Sequence, residues 1–395
     1  MPFMDAVTER AEEPRARYSR SRRPRYIGNE IFRRSSYGLR HPLAIPRVST
    51  CTDLCRALGW LPEGSYLDGP LATPQQLARF HHPDYVAALQ QAECQQSISD
   101  EMRTRFNIGR SGNPLFHEIY SRPATACGSS LLAAALLLAS DGPRLIYSPA
   151  GGTHHGRPGR ASGFCYLNDP ALAILALLDG GLDRVLYIDV DAHHGDGVQD
   201  AFAEDERVLT LSLHEAGRWP LRADSTAGTL HDRAGGMARN LPVPPGFNDS
   251  ELAFLLEAAI LPLAEVFAPQ AVVLQCGADA LADDPQSRLM LSNRALWQVA
   301  AAALHMAPRA RVLGGGGYNP WSVGRCWAGV WATLNGHDIP ERLPAPAEAI
   351  LRALTWRHSR GRQPPEHWFT SLADPPRPGL VRTGIRDMAT AVLAP

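Results

Sequence analysis

Four short apolar runs in this chain are each followed at once by glycine together with histidine, aspartate or tyrosine. The run at 145–147 leads to Gly151-Gly152-Thr153-His154-His155. The run at 185–190 carries Asp189 and leads to Asp191-Ala192-His193-His194-Gly195-Asp196-Gly197. The run at 271–275 leads to Gly277-Ala278-Asp279, and the run at 311–313 to Gly314-Gly315-Gly316-Gly317-Tyr318. A fifth apolar run lies at 208–213, and helical patterns fall at 124–139, 171–178, 251–267, 294–305 and 320–335. Strands that alternate with helices imply a parallel sheet covered on both faces. In open sheets of this kind ligands bind beyond the carboxyl ends of the strands. The four polar clusters are therefore placed to converge on one site. Asp169-Pro170 and Asn319-Pro320 mark two helix starts, each with a capping side chain before a proline at the first helical position.

Asp191 and His193 stand two apart just beyond a strand. In extended backbone, side chains at that spacing point the same way, so both can reach one ion. Asp279, from another strand end, supplies a third ligand. One imidazole and two carboxylates leave positions for water and substrate, the open coordination of a catalytic metal. An acidic calcium loop would need glycine at its sixth position, and counting from Asp189 that position is His194. Beside such a metal, one of the tandem pair His154 and His155 can act as general base and the other as acid or electrostatic stabiliser. Each needs a partner on its second ring nitrogen, and Asp189 and Asp196 are free for that task. Tyr318 follows four glycines. A phosphate loop there would need a lysine, and the chain has none, all 39 of its Lys+Arg residues being arginine. The glycines let backbone pack closely and bring the Tyr318 hydroxyl to a developing oxyanion.

The remaining composition excludes more than it assigns. A net charge of −1 gives no bulk attraction to nucleic acid or to a membrane surface. No apolar stretch is long enough for a membrane-spanning helix. Seven widely spaced cysteines read as free thiols in a reducing compartment, hence a cytoplasmic protein. The Arg-rich start has no apolar segment and reads as a mobile extension over residues 1–25 rather than a secretory signal. Residues 26–345 read as one catalytic domain, and 346–395 as a C-terminal extension that packs on it or trails it.

These residues resemble the histone deacetylase family, including the bacterial acetoin-utilisation deacetylases. The stretches that carry the likeness are GGTHHGRPGRASGFCYLND at 151–169, LYIDVDAHHGDGVQDAF at 186–202, QCGAD and DDPQSRLMLS within 274–292, and LGGGGYNP at 313–320. Fainter echoes are HPLAIPRV at 41–48, HPDYVAAL at 82–89, and 113–116. The resemblance implies a single three-layer α/β domain around a parallel eight-stranded sheet, of the arginase and deacetylase type. It implies zinc, with iron(II) as the other ion suited to these donors, held by Asp191, His193 and Asp279. His155 corresponds to the general base, oriented by Asp196, and His154 to its electrostatic partner, oriented by Asp189. Tyr318 would stabilise the tetrahedral intermediate. Gly163, Phe164, Trp219 and Gly316 would contact substrate, Arg47 would lie at an internal acetate channel, and Asp189 with Ser212 would hold a structural potassium ion. The substrate implied is an acylated amine, either acetyl-lysine in a protein or a small molecule, and the oligomeric state stays open.

The chain departs from the family pattern in three places. Gly112 stands before Asn113-Pro114 where relatives carry an aspartate that anchors the substrate backbone. Trp219-Pro220-Leu221-Arg222 replaces the usual second wall segment, and Gln286 replaces an apolar rim residue. Two other functions compete: a binuclear manganese ureohydrolase of the arginase type, and a non-catalytic binder of acylated amines. The first needs more carboxylates than the single aspartate of Gly277-Ala278-Asp279. The second is expected to lack a ligand, a histidine or Tyr318, and all are present.

Overall fold

The computed structural model describes residues 23–38, 41–222 and 224–394. Eight parallel strands form one sheet: β1 (Arg25–Gly28), β2 (Tyr66–Asp68), β3 (Leu145–Ser148), β4 (Val185–Asp189), β5 (Val208–Glu215), β6 (Ala238–Val243), β7 (Ala271–Gln275) and β8 (Ala310–Leu313). Their order across the sheet is β2-β1-β3-β8-β7-β4-β5-β6. This is the architecture that the resemblance implied.

Strands β3, β4, β5, β7 and β8 are buried along their whole length, which is why they read as near-continuous apolar runs. Successive side chains serve opposite faces. Val185 and Tyr187 join a core with Ile146, Val273 and Leu313, beneath the helices Ser121–Leu138 and Asp169–Asp179. Leu186 and Ile188 join the opposite core with Val272, Leu274 and Val312, under Arg47–Ala57, Asn293–Met306 and Pro320–Asn335.

Three strands escaped the sequence reading. β1 (Arg-Tyr-Ile-Gly) and β2 (Tyr-Leu-Asp) hold only two apolar residues each and lead to no cluster of glycine with histidine, aspartate or tyrosine. β6 reads Ala-Arg-Asn-Leu-Pro-Val, and its Pro242 is tolerated because β6 is an edge strand. The helix expected over 251–267 is interrupted: a π turn at Leu256–Ile260 separates Asp249–Leu255 from Leu261–Phe267. Pro262 comes just after that turn and removes an amide donor from the ladder.

Asn319 caps its helix as expected, its side chain accepting the amides of Trp321 and Ser322. Asp169 is not a cap. Asn168 takes that place by accepting the Ala171 amide, and the buried Asp169 carboxylate turns the other way. Its Oδ1 accepts the amides of Gly152 and Thr153, both at 2.9 Å, and the Thr153 hydroxyl at 2.6 Å. Asp169 thus ties down the loop that carries the tandem histidines.

The expected N-terminal extension falls outside the described residues except for its last three, and Arg25 opens β1. The C-terminal segment lies against the domain, with Trp368, Leu372, Ile385 and Val392 buried. Asp374 pairs with the buried Arg325, Asn293 Nδ2 donates to the Leu372 carbonyl at 2.8 Å, and Arg382 Nε pairs with Glu251 at 2.6 Å. All seven cysteines are unpaired, and only Cys94 is exposed. Among the described residues no helix is long and apolar enough to cross a membrane.

Candidate active site

The ends of β3, β8, β7 and β4 are consecutive in the sheet, so the four polar clusters meet. Asp191, His193 and Asp279 are all buried, and their candidate ligand atoms lie within 4.8 Å of one another. His193 Nδ1 is 2.9 Å from Asp279 Oδ2 and 3.2 Å from Asp191 Oδ1. The remaining carboxylate oxygens are held by backbone: Gly316 donates to Asp191 Oδ2 at 2.6 Å, and Ala192 to Asp279 Oδ1 at 3.0 Å.

The electrostatics of this cluster call for a cation. Burial and the nearby Asp191 push the Asp279 carboxyl up. Burial opposes charge on His193, but the two carboxylates prevail and raise its imidazole to about 10. Two buried carboxylates beside one imidazole suit a divalent ion, whose charge would take the place of the imidazole proton.

Gly316, expected at the substrate, packs against two members of the candidate metal cluster. A Cβ added there would lie 2.0 Å from Asp279 Oδ2 and 2.9 Å from Asp191 Oδ2. Gly316→Ala is therefore expected to displace both carboxylates and weaken metal affinity by roughly 10- to 100-fold, read by competition with a chelator. Unchanged affinity would remove these carboxylates as ligands.

The tandem histidines are each anchored through Nδ1. His154 Nδ1 lies 2.6 Å from Asp189 Oδ2, and His155 Nδ1 lies 2.6 Å from Asp196 Oδ1. This leaves Nε2 of both rings for the cleft. The environments push the rings apart. Burial disfavours charge on His154, yet Asp189 and Asp191 outweigh it and raise the ring to about 9. Burial and the neighbouring His154 lower His155 to about 4. Tyr187 donates to Asp189 Oδ2 at 2.7 Å, and Arg157 pairs with Asp196 from behind. The sequence reading did not single out Tyr187 or Arg157.

Aromatic side chains wall the approach. The Trp219 ring lies 4.7 Å from that of His155, and a Cβ on Gly163 would meet both rings. Phe164 stands 6.1 Å from the Tyr318 ring and 4.5 Å from His41. Phe164 adopts φ 67°, unusual for a bulky residue, and its amide donates to Asn113 Oδ1 at 3.0 Å. Trp219 is half exposed, so it stands at the mouth. Gly112 has open space around it. Tyr318 is buried behind Phe164, and burial raises its hydroxyl well above the usual range. The Arg47 Nη1 donates to the Gly315 carbonyl at 2.8 Å, and its guanidinium sits 5.3 Å from the centre of the Trp327 ring. Asp189 and Ser212 are direct partners across β4 and β5, and the Ser212 hydroxyl lies 3.2 Å from the Gly195 amide and 3.0 Å from His214 Nδ1.

Comparison with known proteins places the whole chain. The family model described as the histone deacetylase domain matches residues 41–334. The chain belongs to the histone deacetylase family. It is 36% identical over 312 residues to histone deacetylase 1 of Oryza sativa subsp. japonica, covering 78% of this chain and 59% of that protein. It is 34% identical to putative histone deacetylase 2 of Caenorhabditis elegans, again over 78% of this chain and over 61% of the relative. The chain thus spans less than two thirds of these relatives' length. Histone deacetylase 8 of Xenopus tropicalis is 33% identical over 75% of this chain and 80% of its own. Among solved structures, an HDAC homolog from Aquifex aeolicus superposes with a TM-score of 0.88 at 34% identity, covering 94% of this chain and all of that one. A second structure, of an HDAC homolog complexed with SAHA, matches equally well.

Proposed function

We propose that this chain is a zinc-dependent deacylase that hydrolyses an acyl amide, acetyl in the simplest case, of a lysine side chain or of a small amine. One observation carries the reading. In a single buried cleft, a three-donor cation cluster adjoins two His–Asp pairs whose rings hold protons with opposite strength. The names of the relatives support the reaction class, and the HDAC homolog complexed with SAHA supports a ligand-binding protein of this fold.

The work divides among named side chains. Asp191, His193 and Asp279 would hold the ion, which when bound polarises the substrate carbonyl and acidifies water. His155 is the base: its Nε2 is free and the ring is neutral at ordinary pH, so it takes the proton of the attacking water, with Asp196 fixing the ring. His154 keeps its proton, because Asp189 and Asp191 hold it charged, and opposes the negative charge that develops beside it. Tyr318 donates its hydroxyl to the carbonyl oxygen as that atom gains charge. The departing amine takes a proton from the imidazolium formed at His155. Phe164 and Trp219 flank the acyl-bearing chain and exclude water. Arg47, which bonds the Gly315 carbonyl beside the cluster, meets the carboxylate product. Asp189 and Ser212 remain the proposed potassium ligands.

The ureohydrolase reading would need a second metal centre. The group His154, Asp189 and Asp191 also clusters, but its closest atoms are a hydrogen-bonded pair at 2.6 Å, which suits a charge partner rather than a second ion.

The test strips the purified protein of metal, reloads it with zinc or iron(II), and offers acetyl-lysine peptides, acetylpolyamines and small acetamides. Expected is one zinc per chain and acetate release that a hydroxamate blocks. The better substrate then shows whether the open space at Gly112 disfavours peptides. No amide turnover at full metal occupancy overturns the reading. Release of urea from arginine with two manganese ions would replace it with the arginase type.

A further inference from the structure

The turn at Asp283-Asp284 comes soon after the third proposed ligand, but neither residue belongs to the metal cluster. Asp284 is completely buried. Its Oδ2 accepts the backbone amide of Tyr318 at 2.6 Å, and its Oδ1 accepts that of Gln286 at 2.8 Å. The Asp283 carbonyl accepts from Asn319 Nδ2 at 3.2 Å, while the Asn319 side-chain oxygen caps the helix Pro320–Asn335. Both residues directly after the four glycines are thus held by one turn.

The glycine run makes such an anchor necessary. Gly315 and Gly317 have φ of 139° and 138°, and glycine gives backbone the widest conformational freedom. A tyrosine at the end of four glycines inherits that freedom unless something outside the run fixes it. The turn is braced in its own right. Arg360 Nη1 donates to the Asp284 carbonyl at 2.8 Å, Trp368 Nε1 donates to Asp283 Oδ2 at 3.2 Å, and Arg377 lies 3.8 Å from Asp283 Oδ1.

We infer that Asp284 is a positioning residue for the reaction: by accepting the Tyr318 amide, it sets the phenol hydroxyl where the oxyanion forms. The inference rests on the deacylase reading only through the role of Tyr318. A misplacement of about 1 Å costs on the order of 10²-fold in rate. Asp284→Ala is therefore expected to lower kcat by roughly 10- to 100-fold, with KM and zinc content close to the parent.

A double-mutant cycle on kcat separates positioning from general support of the fold. The Asp284→Ala loss should shrink below about twofold once Tyr318→Phe has already removed the hydroxyl, because no group remains to be placed. Should the alanine variant fail to fold, Asp284→Asn serves in the same cycle. It keeps one acceptor and sets an amide nitrogen against a backbone N–H, so a smaller loss with the same dependence on Tyr318 is expected. Hydrogen exchange of the 314–319 peptide should quicken in either variant. Equal losses with and without the Tyr318 hydroxyl would overturn the inference and leave the deacylase reading intact. A Tyr318→Phe protein as fast as the parent would overturn the oxyanion role itself, and this inference with it.

Discussion

His155→Ala protein is expected to retain its zinc and to lose kcat by roughly 10³-fold or more, toward the upper end of what a general base contributes. The ring is buried, held by Asp196 through Nδ1, and kept neutral by burial and by the charge on His154. Those conditions prepare a base at neutral pH, and among the described residues no other group in the cleft meets them. His154 is closest, with ring centres 3.9 Å apart, but its higher proton affinity leaves it already protonated. The candidate metal cluster should survive because His155 lies 6.1 Å from His193, ring centre to ring centre, and its hydrogen-bond partner is Asp196 rather than a member of the cluster. Turnover assays paired with metal analysis on the same sample decide the matter. Activity within tenfold of the parent would remove His155 as the base, and loss of zinc would make it a support of the metal site instead.

Tyr318→Phe carries the second large effect. Removing an oxyanion donor from a buried site typically costs on the order of 10²–10³-fold in kcat. Tyr318 is buried beside Phe164, so the lost hydroxyl is not replaced by bulk water. Its ring packing is kept in phenylalanine, and KM should stay within about threefold of the parent, since a transition-state interaction is the one removed. A rise in KM at constant kcat would make Tyr318 a binding residue.

Much of the candidate site was legible because its polar residues stand immediately after buried strands. A buried parallel strand advertises itself by an unbroken apolar run, and the residues just past its end must lie at the carboxyl edge. Asp191, His193, Asp279, His154, His155 and Tyr318 were all found that way, and the sheet brings their strand ends together. The residues that escaped act across distance in the sequence. Asp284 and Tyr318 are 34 positions apart, and Arg157 and Asp196 are 39 apart. Nothing local in Ala-Asp-Asp-Pro or His-Gly-Arg-Pro announces such a partner. Asp169 was misread for the opposite reason. Asn168 and Asp169 are both good caps, and only the unsatisfied amides of Gly152 and Thr153, brought near by the fold, decide which side chain turns away.

The brace on the Asp283-Asp284 turn has a consequence in time. Arg360 and Trp368 lie 76 and 85 residues beyond the positions they hold. A chain emerges from the ribosome amino end first and folds in that order. The sheet and the three side chains proposed to hold metal can come together while Arg360 and Trp368 are still in the exit tunnel or not yet made. Ion uptake and catalytic competence would then be separate events in the life of each molecule, the second waiting on translation of the segment that carries Arg360 and Trp368.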